Sequence, residues 1–254
     1  MLKKMLMVVM VLALLGGCAS MVKQTPVSHS GSVLNYLYAG NTDKATMKPE
    51  MATLKLPLRI GLAFVPSTGL SSGGVSEAEQ TAMLNRVKES FLAYPFVKEI
   101  QIIPGTYLTS GGGFENLTQV GRLFDLDVVT LLSYDQIQFN DSTTSSMLYW
   151  TLVGAYVVKG DQYDVHTLLE ASVFDIPSHK LLFRAPGSSK VKGAGSMVNY
   201  SEKSRVARVE GFSKAIDDLI PNLKTELEAF RVKARSDTGS IQLIRPNGYP
   251  DAGK

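Results

Sequence analysis

Residues 58–64, Leu58-Arg59-Ile60-Gly61-Leu62-Ala63-Phe64, form a short apolar run that Pro66 brings to an end. A run of that length, partly branched and closed by a proline, suits a buried strand. Downstream, Ser76 and Glu79 have the spacing of a capping box, and Met83, Leu84, Val87 and Phe91 recur at helical intervals. These signals predict a helix over about 77–93. A second strand is expected from Val97 to Ile103, stopped by Pro104-Gly105. After Ser110-Gly111-Gly112-Gly113, the residues Leu117, Val120, Leu123 and Phe124 define a short helix, and Val128 to Phe139 reads as a third strand. The resulting β-α-β-α-β order places the chain in the α/β or α+β class, with a mixed or parallel sheet and helices packed on it.

The second half has a different pattern. Met147–Val158, Val165–Ile176 and Lys180–Val191 are strand-like runs separated by turn signals at Lys159-Gly160-Asp161 and Pro177-Ser178. They are expected to extend the sheet as an antiparallel meander. A long C-terminal helix from about Ser204 follows, with an apolar stripe of Val209, Phe212, Ile216, Leu219, Leu223, Leu227 and Phe230. Pro221 is expected to kink or split that helix. No internal repeat is visible.

The amino terminus carries a targeting pattern. Lys3 and Lys4 precede the apolar run Met5–Leu15, which ends in Leu15-Gly16-Gly17-Cys18. The run falls well short of the roughly 20 residues that a membrane-spanning helix requires, so it reads as an export signal. It resembles the lipobox of bacterial lipoproteins, which implies cleavage between Gly17 and Cys18, a diacylglyceryl group on the Cys18 thiol and acylation of the new amino terminus. Several acyl chains on one residue, at about 0.8 kcal/mol per buried methylene, make release from a bilayer negligible. Ala19 and Ser20 follow, without the aspartate that resembles the inner-membrane retention signal of enteric lipoproteins. That resemblance implies an outer-membrane anchor with the body in the periplasm.

Cys18 is the one cysteine in the chain, so no disulfide framework is available to the folded body. Loss of Lys3 and Lys4 takes the formal charge from +3 to about +1. A nearly neutral chain offers no electrostatic reason to expect nucleic acid as a partner. The expected organisation is a signal peptide over 1–17, an acylated tether over 18–56, a globular domain over 57–235 and a flexible tail over 236–254. Within the tether, Val33-Leu34-Asn35-Tyr36-Leu37-Tyr38 is an apolar island suited to docking on the domain.

Four patterns bear on chemistry. Gly69-Leu70-Ser71-Ser72-Gly73 fits G-x-S-x-G, but a nucleophile elbow joins strand to helix in one tight turn, whereas loop residues intervene here on both sides. Asp164, His166 and Glu170 share one strand face by the period of two, with Leu168 between them. That alternation suits the solvated side of a half-buried strand better than a metal site. Met147–Val158 has the length of a membrane-crossing strand, yet apolar residues occupy both parities, which favours burial on both faces. Gly111-Gly112-Gly113 precedes a helix without the lysine of a phosphate loop and reads as a flexible connection. No catalytic residue, metal or cofactor is assigned on these grounds.

Two family resemblances remain. The β-α-β-α-β start and the strand running into Ser133-Tyr134-Asp135-Gln136 look like the periplasmic domain of curli-secretion-channel lipoproteins and of activators of penicillin-binding proteins, over about residues 57–235. Local strings look like the rhombotarget lipoprotein family: Ser32 to Tyr38, Tyr149-Trp150-Thr151 with Gly154-Ala155-Tyr156, and Phe174-Asp175-Ile176-Pro177-Ser178 through Leu182-Phe183-Arg184-Ala185-Pro186-Gly187. The association of that family with rhombosortase systems implies a role near sorting or surface display of other proteins, and carries no catalytic residue across. The expectation is a lipid-anchored, non-enzymatic envelope lipoprotein that binds a protein partner or itself. An oligomeric secretion-channel component is the alternative, and a serine hydrolase through Ser71 a third.

Overall fold

The computed structural model describes residues 27–38, 50–67, 75–142, 161–195, 199–236 and 239–246. Its centre is a mixed sheet built on β3 (Leu58–Phe64), β4 (Val97–Ile102), β5 (Val128–Ser142), β6 (Asp161–Asp175) and β7 (Leu181–Gly195), ordered β4-β3-β5-β6-β7. β3 runs parallel to both β4 and β5, whereas β5, β6 and β7 form an antiparallel meander. The helices α2 (Glu77–Phe91) and α3 (Gly113–Leu123) make the two connections of the β-α-β-α-β start. The α+β class, the meander and the long C-terminal helix expected from the sequence are all present.

β1 (Val27–Gly31) pairs antiparallel with Tyr134–Gln138 of β5. β3 uses Val128–Leu132 of the same strand, so β1 and β3 divide one edge of β5 between them. The strand boundaries of the meander also differ from the sequence expectation. β6 spans Asp161–Asp175 and β7 spans Leu181–Gly195, each beginning or ending several residues beyond its apolar run. Ladder hydrogen bonds continue where side-chain hydrophobicity has ceased. The expected strand Met147–Val158 lies outside the described residues.

Alternation along β5 makes two cores. Val128, Leu132 and Tyr134 face one side with Leu58, Leu62 and Phe64, against Met83, Leu84, Val87 and Phe91 of α2. The same side receives Phe212, Ala215, Ile216, Leu219, Leu223 and Leu227 of α4 (Tyr200–Ser236). On the other side, Val129 and Leu131 meet Leu117 and Val120 of α3 and Val33, Tyr36 and Leu37 of α1 (Val33–Leu37). The capping box forms as expected: the Glu79 amide donates to Ser76 Oγ at 3.3 Å, and the Ser76 amide donates to Glu79 Oε2 at 2.9 Å.

Parts of the segments expected as a tether over 18–56 and a tail over 236–254 carry regular structure. The tether contributes β1, α1 and β2 (Ala52–Lys55). α1 is held by burial of Tyr36, whose hydroxyl donates to Asn116 Oδ1 at 2.9 Å. The tail contributes β8 (Ile241–Ile244), which pairs parallel with β2 in a second small sheet. Leu54 and Ile241 are buried in the main core, so the folded body extends past both expected boundaries. Four residues, Ala52-Thr53-Leu54-Lys55 or Ile241-Gln242-Leu243-Ile244, are too short a run for a period to be read singly; pairing between distant segments supplies what each lacks.

Candidate functional site

α4 runs unbroken through Pro221, so the split that the sequence allowed there does not occur. Before it, Phe212, Ala215, Ile216 and Leu219 are almost wholly enclosed against the sheet. Past it, Leu223, Leu227 and Phe230 face a cavity of about 130 Å³ between the helix and the sheet. Leu58, Ile60, Val128 and Val173 form its floor, α2 supplies Val87 and Phe91, and the β2–β8 pair closes one side with Leu54 and Leu243. Aromatic rings wall it: Phe91 and Phe96, which pack on Tyr94 behind them at 5.8 and 5.1 Å, and Phe183 and Phe230, which meet at 5.2 Å. The lining includes Thr130, three arginines (Arg231, Arg235 and Arg245) and no carboxylate. Arg231 lies 5.8 Å from the Phe96 ring and pairs with Glu228 at 2.7 Å.

This site is absent from the sequence expectations. Its signal was the apolar stripe of α4, which reads equally as plain core. Which part of the stripe presses on the sheet and which part stands over a cavity depends on remote elements, among them the two small strands that close one side.

The sequence candidates are placed as follows. Cys18, Gly17 and the Ser71 loop lie outside the described residues. Asp164, His166 and Glu170 do share one face of β6, and Leu168 between them is exposed. Asp164 lies 3.1 Å from His166 Nε2, 3.1 Å from Lys190 Nζ and 3.5 Å from Lys192 Nζ. Partial burial alone would raise its carboxyl; the Lys190 hydrogen bond and the neighbouring charges outweigh that and hold it below the usual carboxylate range. Glu170 is drawn to Arg184 at 3.1 Å instead. Among the described residues no group of three or more His, Cys, Asp or Glu side chains is placed to hold a metal. Gly111 and Gly113 have φ of 69° and 65°, the left-handed region that glycine enters without a Cβ penalty. They serve a tight turn in which the Gly112 amide donates to the Thr109 carbonyl at 2.8 Å.

A second polar group lies between the upper sheet and the first half of α4. Gln136 Nε2 donates to Thr167 Oγ1 at 2.7 Å and to the Arg208 carbonyl at 2.9 Å, while Arg208 Nη1 donates to Gln138 Oε1 at 2.8 Å. Burial lowers the Arg208 pKa. Gly211 permits this contact, because a Cβ there would stand 2.6 Å from Thr167 Oγ1. The network locks helix to sheet and contains no nucleophile paired with a base.

No protein-family model matches the chain, and no curated protein matches it. Among solved structures, a neuraminyllactose-binding hemagglutinin homolog from Helicobacter pylori is 9% identical with a TM-score of 0.41, covering 75% of this chain and 96% of that one. A PelC dodecamer from Paraburkholderia phytofirmans is 10% identical with a TM-score of 0.25, over 76% of this chain and 99% of that one. A second PelC dodecamer structure gives 9% and 0.28, over 77% and 96%. At this identity and superposition the comparisons lend no weight to a functional reading.

Proposed function

We propose that this chain is a lipid-anchored, non-enzymatic lipoprotein of the outer membrane, its body in the periplasm acting as a partner-binding or assembly component. The observation that carries the reading is Leu15-Gly16-Gly17-Cys18 behind a charged and then apolar segment, with Cys18 the single cysteine of the chain. The thiolate is the acceptor for the diacylglyceryl group, and small residues before it let the chain lie extended in a peptidase. The strings that look like those of the rhombotarget lipoproteins support a link to sorting or display of other proteins at the cell surface.

Replacing Cys18 with Ser tests the anchor. The expected outcome is an uncleaved or soluble precursor missing from the outer-membrane fraction. Normal maturation and normal fractionation of that variant would refute the reading. Crosslinking of the lipidated chain in membranes, followed by mass spectrometry, identifies the partner; recovery of sorting or secretion components is the expected result.

A further inference from the structure

We propose that the cavity beneath the second half of α4 is the seat of the Tyr249 side chain, carried back into it by the segment that follows β8. The inference does not rest on the anchoring and assembly reading. β8 ends at Ile244, and the next residue, Arg245, is itself part of the cavity lining. Tyr249 follows four residues later, so it reaches at most about 13–14 Å from that rim. Residues 247–254 read Asn-Gly-Tyr-Pro-Asp-Ala-Gly-Lys. Tyr249 is the one large apolar side chain among them, and Gly248 beside it permits the chain to reverse.

The cavity matches that side chain in size and in polarity. An apolar cavity of about 150 Å³ lined by Leu, Ile and Phe admits one benzene ring. This one is about 130 Å³, and Phe91, Phe96, Phe183 and Phe230 offer edges and faces to a further ring. Thr130 is the one uncharged polar residue of the lining, on the same strand face as Val128 of the floor. It is 4% exposed, and its hydroxyl makes no hydrogen bond to a described residue. A hydroxyl held in an apolar wall costs stability until it finds a partner. A phenol that enters ring and hydroxyl together brings one group that both donates and accepts to the floor beside Thr130. Attachment to β8 supplies the rest. On so short a connection the ring is present at an effective concentration on the order of millimolar, which a free ligand must exceed to displace it. The rim arginines already have partners and play no part.

The test treats membranes containing the full chain with tetranitromethane and follows the nitration of each tyrosine by peptide mass spectrometry. Ala234→Leu and Val97→Phe, which fill the cavity, should expel the ring. Tyr249 should then be nitrated at least about fivefold faster in them than in wild type, the ratio for a ring docked about four-fifths of the time. Circular dichroism melting identifies a filling variant that has lost its fold; the other then decides, or, failing both, the ligand rescue that follows. Tyr249→Ala should melt below wild type, and p-cresol, the severed side chain, should raise its melting temperature while leaving wild type unchanged. Toluene, which lacks the hydroxyl facing Thr130, should restore less. Equal nitration of Tyr249 in wild type and in a folded filling variant would overturn the proposal. So would p-cresol raising the melting of wild type as much as that of Tyr249→Ala, which would mark the cavity as a site for an external ligand.

Discussion

At the residue scale, a bidentate polar junction joins the start of two parallel strands. Arg59 Nε and Nη2 donate to the two Asp127 carboxylate oxygens at 3.0 and 2.8 Å, and the Arg59 amide adds a third bond at 2.9 Å. The Asp127 amide donates back to the Arg59 carbonyl at 2.9 Å, and Asp125 also pairs with the same guanidinium. Burial alone would raise the Asp127 carboxyl, but its bonds from Arg59 outweigh this and hold it below the ordinary range. The sign follows from linkage: a carboxylate depressed in the folded state contributes stability above its unfolded pKa of about 3.9, lost as pH falls through the lower folded value. Asp127→Asn should lower stability at pH 7 by about 1.5–3 kcal/mol. Repeating the urea titrations at lower pH should show the difference from wild type shrinking. An equal difference at all pH values would assign the effect to shape instead of charge. Asp127 is one acidic residue in Asp125-Leu126-Asp127, and nothing in its sequence neighbourhood distinguishes it from a turn residue.

At the scale of elements, α4 and β7 depend on each other. Pro186 lies in β7, and a proline within a ladder points to an edge strand. α4 covers that edge: Asp218 Oδ2 accepts from the Ser188 amide at 2.9 Å, and Asn222 Nδ2 donates to the Pro186 carbonyl at 3.0 Å. An edge left with open amides invites pairing with another chain, so the helix side chains also guard against aggregation. The close approach needs Gly187, where a Cβ would stand 2.5 Å from the Ala215 carbonyl and 2.7 Å from Leu219 Cβ. Gly187→Val should destabilise the fold by about 1–3 kcal/mol through displacement of the helix. Leu219→Ala, which empties a fully enclosed position, should cost about 2–5 kcal/mol. Thermal melting followed by circular dichroism measures both. A Gly187→Val melt equal to wild type would show that α4 does not hold the close position described. The periodic stripe announced α4 from the sequence, because an apolar residue every three or four positions has one geometric solution. Its partner strand was legible only as a strand, since edge bonds from Asp218 and Asn222 follow no period.

At the scale of the molecule, segments far apart in the chain are brought together. β2 and β8 are separated by most of the sequence yet pair in parallel over Ala52↔Ile241 to Lys55↔Ile244. They press Leu54 and Leu243 against the main core and bound the cleft. A chain ending at Ser236 loses β8 and should be less stable by about 2–4 kcal/mol, the scale of one or two buried aliphatic side chains. The urea midpoint reports it, and an unchanged midpoint would mean that the small sheet adds nothing to the core. The sequence by itself determined the alternation of strands and helices, the capping box and the apolar face of α4. Those properties are local: each depends on residue types within one or two turns or on period-two alternation. The sharing of one β5 edge by β1 and β3, the junction of Arg59 with Asp127, the pairing of β2 with β8 and the cleft past Pro221 were decided only by tertiary structure. Each requires surfaces from remote segments to meet, and one segment's spacing does not reveal which remote surface will complete it.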